Sequence, residues 1–123
     1  MTDFVHLHVH TEYSLLDGMA KVEDLMEHMQ KNGIDTCAVT DHGNMYASLY
    51  FAEECKKRGF KYIIGCELYV TDDMYDHRYG TKTEHIVLLA KNKTGYKNIV
   101  KLDSMSYIDG FYGKPRTDYD HEN

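Results

Sequence analysis

Apolar and polar residues alternate at the start of the chain, and this pattern predicts a β-strand. The segment Phe4–His10, FVHLHVH, places an apolar residue at every second position, which gives one apolar and one polar face. Helical spacing follows, because Val22, Met26 and Met29 recur every three or four residues before Gly33. The sequence therefore predicts a strand and then a first helix.

A second strand and a second helix follow in the same order. The short apolar run Thr36–Thr40 predicts a buried strand, and Asn44 is placed to cap a helix over Met45–Arg58. One side of this predicted helix carries Leu49, Ala52 and Cys55, and Gly59 closes it.

The central part of the chain contains two more strands and a last helix. The runs Lys61–Val70 and His85–Ala90 are apolar enough for strands, and a helical pattern covers Gly95–Tyr107. Either Thr94 or Asn92 can cap that helix. The predicted order is β-α-β-α-β-β-α.

Alternating strands and helices favour an α/β fold with a largely parallel sheet or barrel wall. We interpret residues 1–123 as one domain, with a helix-free tail from about residue 108 that is rich in turn residues.

Composition narrows the range of functions. The 123 residues are 42% hydrophobic and 28% charged, which suits one globular domain. The net charge of -6 argues against a nucleic-acid interface built mainly from basic residues. The chain has no apolar run long enough to span a membrane and begins without an export leader, so we expect a cytoplasmic protein with no membrane partner.

The three cysteines do not form a disulfide or metal motif. Cys37, Cys55 and Cys66 are irregularly spaced and none belongs to a Cys-x-x-Cys pair, so we expect reduced core thiols. Cys66 precedes Glu67, but strand alternation turns the two side chains to opposite faces.

Histidines on the first predicted strand are candidate metal ligands. His6, His8 and His10 share one face, yet neighbours along a strand face lie about 6.6 Å apart, so one compact site takes an adjacent pair. Functional groups of α/β folds collect at the carboxyl ends of strands. This rule favours His8 and His10 over His6.

Four further residues are expected at the same rim, by which we mean the edge of the fold where the carboxyl ends of the strands meet. Asp17 follows the first strand, His42 ends the second, and Glu67 lies in the carboxyl-terminal half of the third. His85 begins the fourth strand, but residues 71–83 lack a helical pattern. If this connection is a wide hairpin, the start of the fourth strand lies beside the end of the third, and His85 joins Glu67.

Imidazoles and carboxylates at one rim suit Zn, Mn or Fe, and clusters of such ions activate water and neutralise phosphate oxygens. We treat His28, His77 and His121 as ordinary surface or core histidines. The predicted ligands are His8, His10, Asp17, His42, Glu67 and His85.

Five blocks of sequence, in order, carry a family resemblance. They are HLHVHTEYSLLDG, VTDHGNMYASLYF, IIGCELYV, HIVLLAKNKTGYKNIVKL and GFYGKPR. Together they resemble the start of the polymerase and histidinol phosphatase (PHP) domains at the N-terminus of bacterial DNA polymerase III alpha subunits. The resemblance implies a seven-stranded (β/α) barrel with up to three divalent metal ions at the strand ends.

The resemblance also implies site residues and chemistry. His8 and His10 match the first family motif, and His42 matches the histidine of the Thr-Asp-His-Gly block. Asp17, Glu67 and His85 match the remaining ligands. We assign the catalytic roles to Asp17, His42 and Glu67. Family members with complete sites are similar to metal-dependent 3′-5′ exonucleases, which implies a DNA 3′ end or another phosphoester as substrate.

The chain departs from the family after His85. The later ligands, a Cys or His and an Asp-x-His pair, have no counterpart, and neither has any polymerase element. We therefore expect a partial barrel with weak or absent hydrolysis, self-association through its open surfaces, and contacts with the other polymerase domains of a longer chain. The alternatives are a free-standing phosphoesterase of the histidinol-phosphatase type and a non-catalytic structural module of a polymerase.

Two basic segments have alternative roles that the sequence leaves open. The run 54–61 can serve either as a helix end or as a DNA contact, and we favour the helix end. The loop Gly113–Arg116 is either an ordinary turn or a contact to phosphate or to another polymerase domain.

Overall fold

The computed structural model describes residues 4–15, 17–78 and 80–119. Three helices and four strands follow one another along these residues. They are α1 (Val22–Lys31), β1 (Thr36–Val39), α2 (Ser48–Arg58), β2 (Lys61–Val70), β3 (Glu84–Leu89), α3 (Lys93–Ile108) and β4 (Arg116–Thr117). The mixed α/β class is therefore confirmed.

The long strand β2 forms the centre of a mixed sheet. Its first half pairs in parallel with β1, so that Thr36 lies opposite Lys61. Its last residues pair in parallel with β4, and Tyr69 lies opposite Arg116. β1 and β4 therefore both run parallel to β2, with β1 beside its first half and β4 beside its carboxyl end.

The other edge of β2 pairs with β3 in antiparallel orientation. Glu67 lies opposite Val87, and Tyr69 lies opposite His85. The predicted wide hairpin is thus confirmed, since residues 71–83 return the chain directly to the neighbouring antiparallel strand. This return brings the start of β3 to the carboxyl end of β2.

The predicted first strand is wrong as a regular element. Phe4–His10 runs beside β1, but its bridge at His6 to Cys37 is isolated. The amide of Val9 donates to the side-chain Oγ1 of Thr40 at 2.9 Å instead of to a backbone carbonyl. A side-chain hydroxyl thus replaces a backbone acceptor, and the regular ladder is interrupted.

The second helix begins later than predicted. Its first residue is Ser48 rather than Met45, and Ala47 precedes it without a side-chain cap. Asn44 instead donates from its amide to the backbone carbonyls of Tyr13 and His42, each at 3.0 Å. It therefore holds the turn after β1, and the predicted cap at Asn44 is wrong.

The side of α2 that carries Leu49, Ala52 and Cys55 is fully buried only at Cys55. Phe51 and Cys55 are fully buried, whereas Leu49 is 71% exposed. Leu49 lies in the first turn of α2, which begins at Ser48. By contrast, Asn92 caps α3 as predicted, accepting a hydrogen bond from the amide of Gly95 at 2.9 Å.

Two apolar clusters lie on the sheet. The larger one joins α1, α2 and β1 around Met26, Val39 and Phe51. The smaller one packs Cys66 and Leu68 of β2 against α3. Burial of Cys66 confirms that it is a core thiol on the face of β2 that contacts α3.

The segment after α3 contains a short strand that the sequence analysis missed. Arg116 of β4 is 2% exposed, and its guanidinium donates to the carbonyls of Met74, Asp76 and Gly110 at 2.7 to 3.0 Å. Its charge is thus used in structural hydrogen bonds. Among the described residues, no helix is long and apolar enough to cross a membrane.

Candidate metal centre

A buried carboxylate lies at the centre of the rim where the strands end. Glu67 is 1% exposed, and its backbone bridges in parallel to His42 just after β1. The amide of Glu67 donates to the carbonyl of Asp41 at 3.0 Å, and the amide of Gly43 donates to the carbonyl of Glu67 at 2.8 Å. The position of this carboxylate is therefore fixed by backbone pairing.

Two imidazoles from the amino-terminal segment reach one oxygen of this carboxylate. The Nε2 atom of His8 contacts Oε2 of Glu67, and Nε2 of His10 lies 3.3 Å from the same oxygen. His6 lies exposed against the ring of Phe4, at a centroid distance of 4.8 Å. The preference for His8 and His10 over His6 therefore agrees with the geometry.

Two further imidazoles face the other oxygen. The Nδ1 atom of His42 lies 2.8 Å from Oε1 of Glu67, and Nδ1 of His85 lies 4.0 Å from it. The antiparallel return of β3 is what brings His85 to this side. Four imidazoles from three separate parts of the chain thus surround one carboxylate.

His42 faces carboxylates with both of its ring nitrogens. Its Nε2 atom contacts Oδ2 of Asp17, while its Nδ1 atom faces Glu67. A neutral imidazole carries one N–H and can therefore donate to only one of the two carboxylates. A cation bound by a ring nitrogen and a carboxylate oxygen satisfies the contact that the neutral ring cannot.

The close pair between His42 and Glu67 fits such a bound cation. Among the described residues, Nδ1 of His42 and Oε1 of Glu67 are buried atoms without a hydrogen-bond partner, although they lie 2.8 Å apart. Buried polar atoms are rarely left unsatisfied. Two ligand atoms of a metal cluster can approach each other in this way, because a lone pair that faces a cation needs no hydrogen bond.

Two groups of ligand atoms within the described residues could each hold an ion. One group consists of His8, His10 and Glu67, and the other of His10, Asp17 and His42. In each group the ligand atoms lie within 4.8 Å of one another. The donors are imidazole nitrogens and carboxylate oxygens, a set that suits Zn, Mn or Fe.

The protonation of the cluster also favours ligand chemistry. Burial lowers the pKa of His10, and the neighbouring His42 lowers it further, so the ring is biased toward the neutral form that binds metals. The hydrogen bond from His42 lowers the pKa of Asp17, which keeps that carboxyl ionised.

Asp41 supports the site and was not predicted from the sequence. Its buried carboxylate accepts hydrogen bonds from the amide and hydroxyl of Thr11 and from the hydroxyl of Ser14, at 2.6 to 2.8 Å. Ser14 in turn accepts a hydrogen bond from the amide of His42 at 3.0 Å. Asp41 therefore links the loop that carries Asp17 to the turn after β1. Its position next to His42 in the sequence was the available signal.

Stacked rings fix the orientation of the imidazoles. The rings of His10 and His42 are parallel at a centroid distance of 4.0 Å, and the ring of Tyr69 lies parallel to His42 at 6.1 Å. His28 and His77 lie outside the cluster, as expected, and His121 lies outside the described residues.

Comparison with known proteins agrees with the fold and the motifs. The PHP domain family matches residues 6–122. A DNA polymerase III subunit alpha from Treponema pallidum is 48% identical over 119 residues, covering 94% of this chain and 10% of that protein. The corresponding subunit from Borreliella burgdorferi is 46% identical over 126 residues, covering 95% of this chain and 10% of that protein. The chain thus spans about one tenth of the length of these relatives.

Solved structures show the same fold at low sequence identity. An amidohydrolase from Chromobacterium violaceum, with bound sulfate and no metal, is similar with a TM-score of 0.55 and 21% identity, over 82% of this chain and 34% of that one. A candidate metal-dependent phosphoesterase from Bifidobacterium adolescentis gives a TM-score of 0.56 and 17% identity, over 87% of this chain and 36% of that one. The described residues therefore form part of an α/β barrel of the type found in these two proteins.

Proposed function

The chain belongs to the PHP domain family, and on this premise we propose that it is the metal-binding part of the PHP domain of a bacterial replicative DNA polymerase. Such a domain is built to hydrolyse phosphodiester bonds at DNA 3′ ends, and we expect this partial domain alone to do so weakly or not at all. The observation that carries the proposal is the convergence of four imidazoles on the buried carboxylate of Glu67. Similarity to DNA polymerase III alpha subunits favours this function over the free-standing phosphoesterase and the purely structural module.

The proposed ligands divide into two overlapping sets. His8, His10 and Glu67 hold one divalent ion, and Asp17 and His42 complete a second set with His10. Exposed His85 is a further ligand on the Oε1 side of Glu67. The buried carboxylate faces both sides of the cluster, because one oxygen is near His8 and the other near His42.

Bound divalent ions supply two effects in such a site, since they lower the pKa of water and neutralise phosphate oxygens. The chain's own residues prepare the site for this chemistry. Asp17 is 60% exposed at its side chain and remains ionised at the open side of the cluster, where it can accept a proton. Glu67 and His42 hold the cluster together from the buried side.

Partners and location follow from the same proposal. The remaining domains of a longer polymerase chain are the expected protein contacts, and a DNA 3′ end is the expected substrate. Replication of a bacterial chromosome takes place in the cytoplasm, where we place the protein.

Metal content provides the direct test. Purified protein is dialysed against Zn or Mn, and bound metal is measured by elemental analysis and calorimetric titration. We expect Glu67→Gln and the double variant His8→Ala/His10→Ala to lose most of the bound metal, because both remove ligands from the same set. His28→Ala removes an exposed histidine outside the cluster and serves as the matched control. Equal metal in all four proteins would refute the assignment.

Activity is tested separately with a labelled single-stranded oligonucleotide. Removal of 3′ nucleotides that depends on Mn or Zn and is abolished in Glu67→Gln supports the exonuclease. If the protein binds metal but releases only phosphate from mononucleotides, the small-substrate phosphoesterase replaces the proposed polymerase-linked function.

A further inference from the structure

The loop before β4 is held firmly against the metal centre. Pairing of β4 with β2 places Arg116 opposite Tyr69, and the buried guanidinium of Arg116 ties three carbonyls together. Gly43, next to the ligand His42, packs so closely on this loop that an added Cβ would lie 2.9 Å from Cγ of Pro115. The position of the loop relative to the metal ligands is therefore fixed.

This loop directs a lysine toward the rim. The Nζ atom of exposed Lys114 lies over the ring of Tyr69, 4.8 Å from its centroid. Tyr69 in turn lies parallel to His42. A cation and a proposed metal ligand thus lie near the same aromatic ring.

An aromatic stack lies in the same region. The rings of His77 and Tyr112 are parallel, with centroids 4.7 Å apart. The guanidinium of Arg116 lies over the ring of Tyr112 at 5.5 Å from its centroid. Tyr112 is still 48% exposed and His77 is exposed as well, so this stack presents aromatic surface to solvent on which another ring can pack.

A cavity of about 230 Å³ adjoins Tyr112, whose stacking partner His77 is not part of its lining. Lys114, Tyr112 and Arg78 line it together with threonine side chains. Arg78 is paired with Asp76 at 2.7 Å, whereas the ion pairs found among the described residues do not include Lys114. Lys114 is therefore the cation of this cavity that is available to an incoming anion. We call His77, Tyr112 and Lys114 the basic shelf.

We propose that the basic shelf binds single-stranded DNA next to the nucleotide that is removed, with Lys114 contacting a backbone phosphate and His77 stacking on a base. This inference rests on the proposed hydrolytic function and adds to it the residues that hold the strand. Aromatic stacking and a nearby cation are the usual means by which proteins hold single strands without reading their sequence. A mononucleotide has no neighbouring phosphate and base to occupy such a shelf.

The test measures binding and metal content on the same proteins. Fluorescence anisotropy follows a labelled single strand of about 12 nucleotides, with phosphorothioate linkages that resist hydrolysis, at several salt concentrations in Mn. In Lys114→Ala we expect the slope of log affinity against log salt to fall by about 0.7, since one phosphate contact is lost. Lys114→Arg retains the slope, and Lys31→Ala, an exposed lysine on α1, is the matched control.

His77 is examined by its own pair of variants. His77→Ala should weaken binding of the oligonucleotide about fivefold or more, whereas His77→Phe keeps a stacking ring and most of the affinity. Loss of affinity in both variants, or in neither, contradicts base stacking at His77.

Metal content separates the two proposals. If all shelf variants keep their metal and bind the oligonucleotide as the wild type does, the basic shelf is wrong and the metal centre stands. If wild type binds no metal, the proposed function fails. The slopes of log affinity against log salt, measured in EDTA for wild type and Lys114→Ala, then test the basic shelf by itself. Binding of the strand no tighter than that of thymidine monophosphate would overturn the shelf as a polynucleotide site.

Discussion

The Nδ1 atom of His42 lies 2.8 Å from Oε1 of Glu67, yet neither buried atom forms a hydrogen bond among the described residues. The other nitrogen of the same ring contacts Asp17. One imidazole therefore connects the buried carboxylate with the exposed one. A divalent cation satisfies this arrangement without requiring the imidazole to donate two hydrogens.

Metal affinity should depend on pH in a direction set by the histidines. Ligand imidazoles must be neutral, so protons compete with the metal as the pH falls. Because burial lowers the pKa of His10, protonation of this ring competes with metal binding only below the ordinary imidazole pKa of about 6.5. We expect calorimetric affinity to be nearly constant above this value and to fall below it. Affinity that is independent of pH would contradict imidazole ligation.

Asp41 should affect metal binding without being a ligand. Asp41→Asn keeps one acceptor oxygen but replaces the other with an amide donor, which cannot accept from Thr11 or Ser14. We expect metal affinity to fall about 10-fold or more, which is typical when a residue that orients a ligand is lost. Asp72→Asn, in an exposed loop, is the control. Unchanged affinity in calorimetric titration would show that the loop holds Asp17 without this network.

Gly43 should not tolerate a side chain. Its φ is +58°, and a Cβ would lie 2.9 Å from Pro115 and 3.2 Å from Tyr69. We expect Gly43→Ala to lower the free energy of unfolding in urea by more than the roughly 1 kcal/mol of left-handed backbone strain alone. Gly59 also has a positive φ but open space around it, so Gly59→Ala measures the strain without the contact. Equal losses of unfolding free energy in the two variants would mean that the loop before β4 moves away from the added Cβ at little energetic cost.

Asp103 should destabilise the protein at alkaline pH. Burial raises the pKa of its carboxyl to about 7, and its side chain faces the thiol of Cys66. Since the pKa is higher in the folded state, the folded protein binds more protons, and the contribution of Asp103 to stability is lost as pH rises through about 7. Asp103→Asn should therefore raise the melting temperature at about pH 8 and change it little near pH 4. The reverse pattern in thermal scans would contradict the burial of a protonated acid.

Self-association is expected from the exposed surface. Leu15, Met19, Leu49 and Ile108 are each more than 70% exposed, and β3 pairs with only one neighbour among the described strands. Apolar surface and an open strand edge both favour association. We expect light scattering at micromolar concentration to give a mass above that of one chain. A monomer with and without metal would show that these surfaces remain solvated.

The sequence predicted most elements because their signals are local. Helical spacing around Met26 and the apolar run of β2 depend on residues a few positions apart, and both elements formed with nearly the predicted bounds. The positions of the strand ends also predicted where the candidate ligands meet. The rule that functional groups collect at the carboxyl ends of strands needs only the order of the elements. The missing helical pattern in residues 71–83 was enough to predict the hairpin that brings His85 to Glu67.

Tertiary structure alone decided how the remaining residues are used. Alternation in Phe4–His10 resembles a strand, but the hydroxyl of Thr40 takes the amide of Val9 and interrupts the ladder. Arg116 resembles a surface cation in sequence. In the fold it is buried, because its guanidinium donates to the carbonyls of Met74 and Asp76, which are far away along the chain. Local periodicity specifies which way a side chain points relative to its neighbours. Which atoms it meets depends on residues far along the chain, because those contacts exist only after the sheet has assembled.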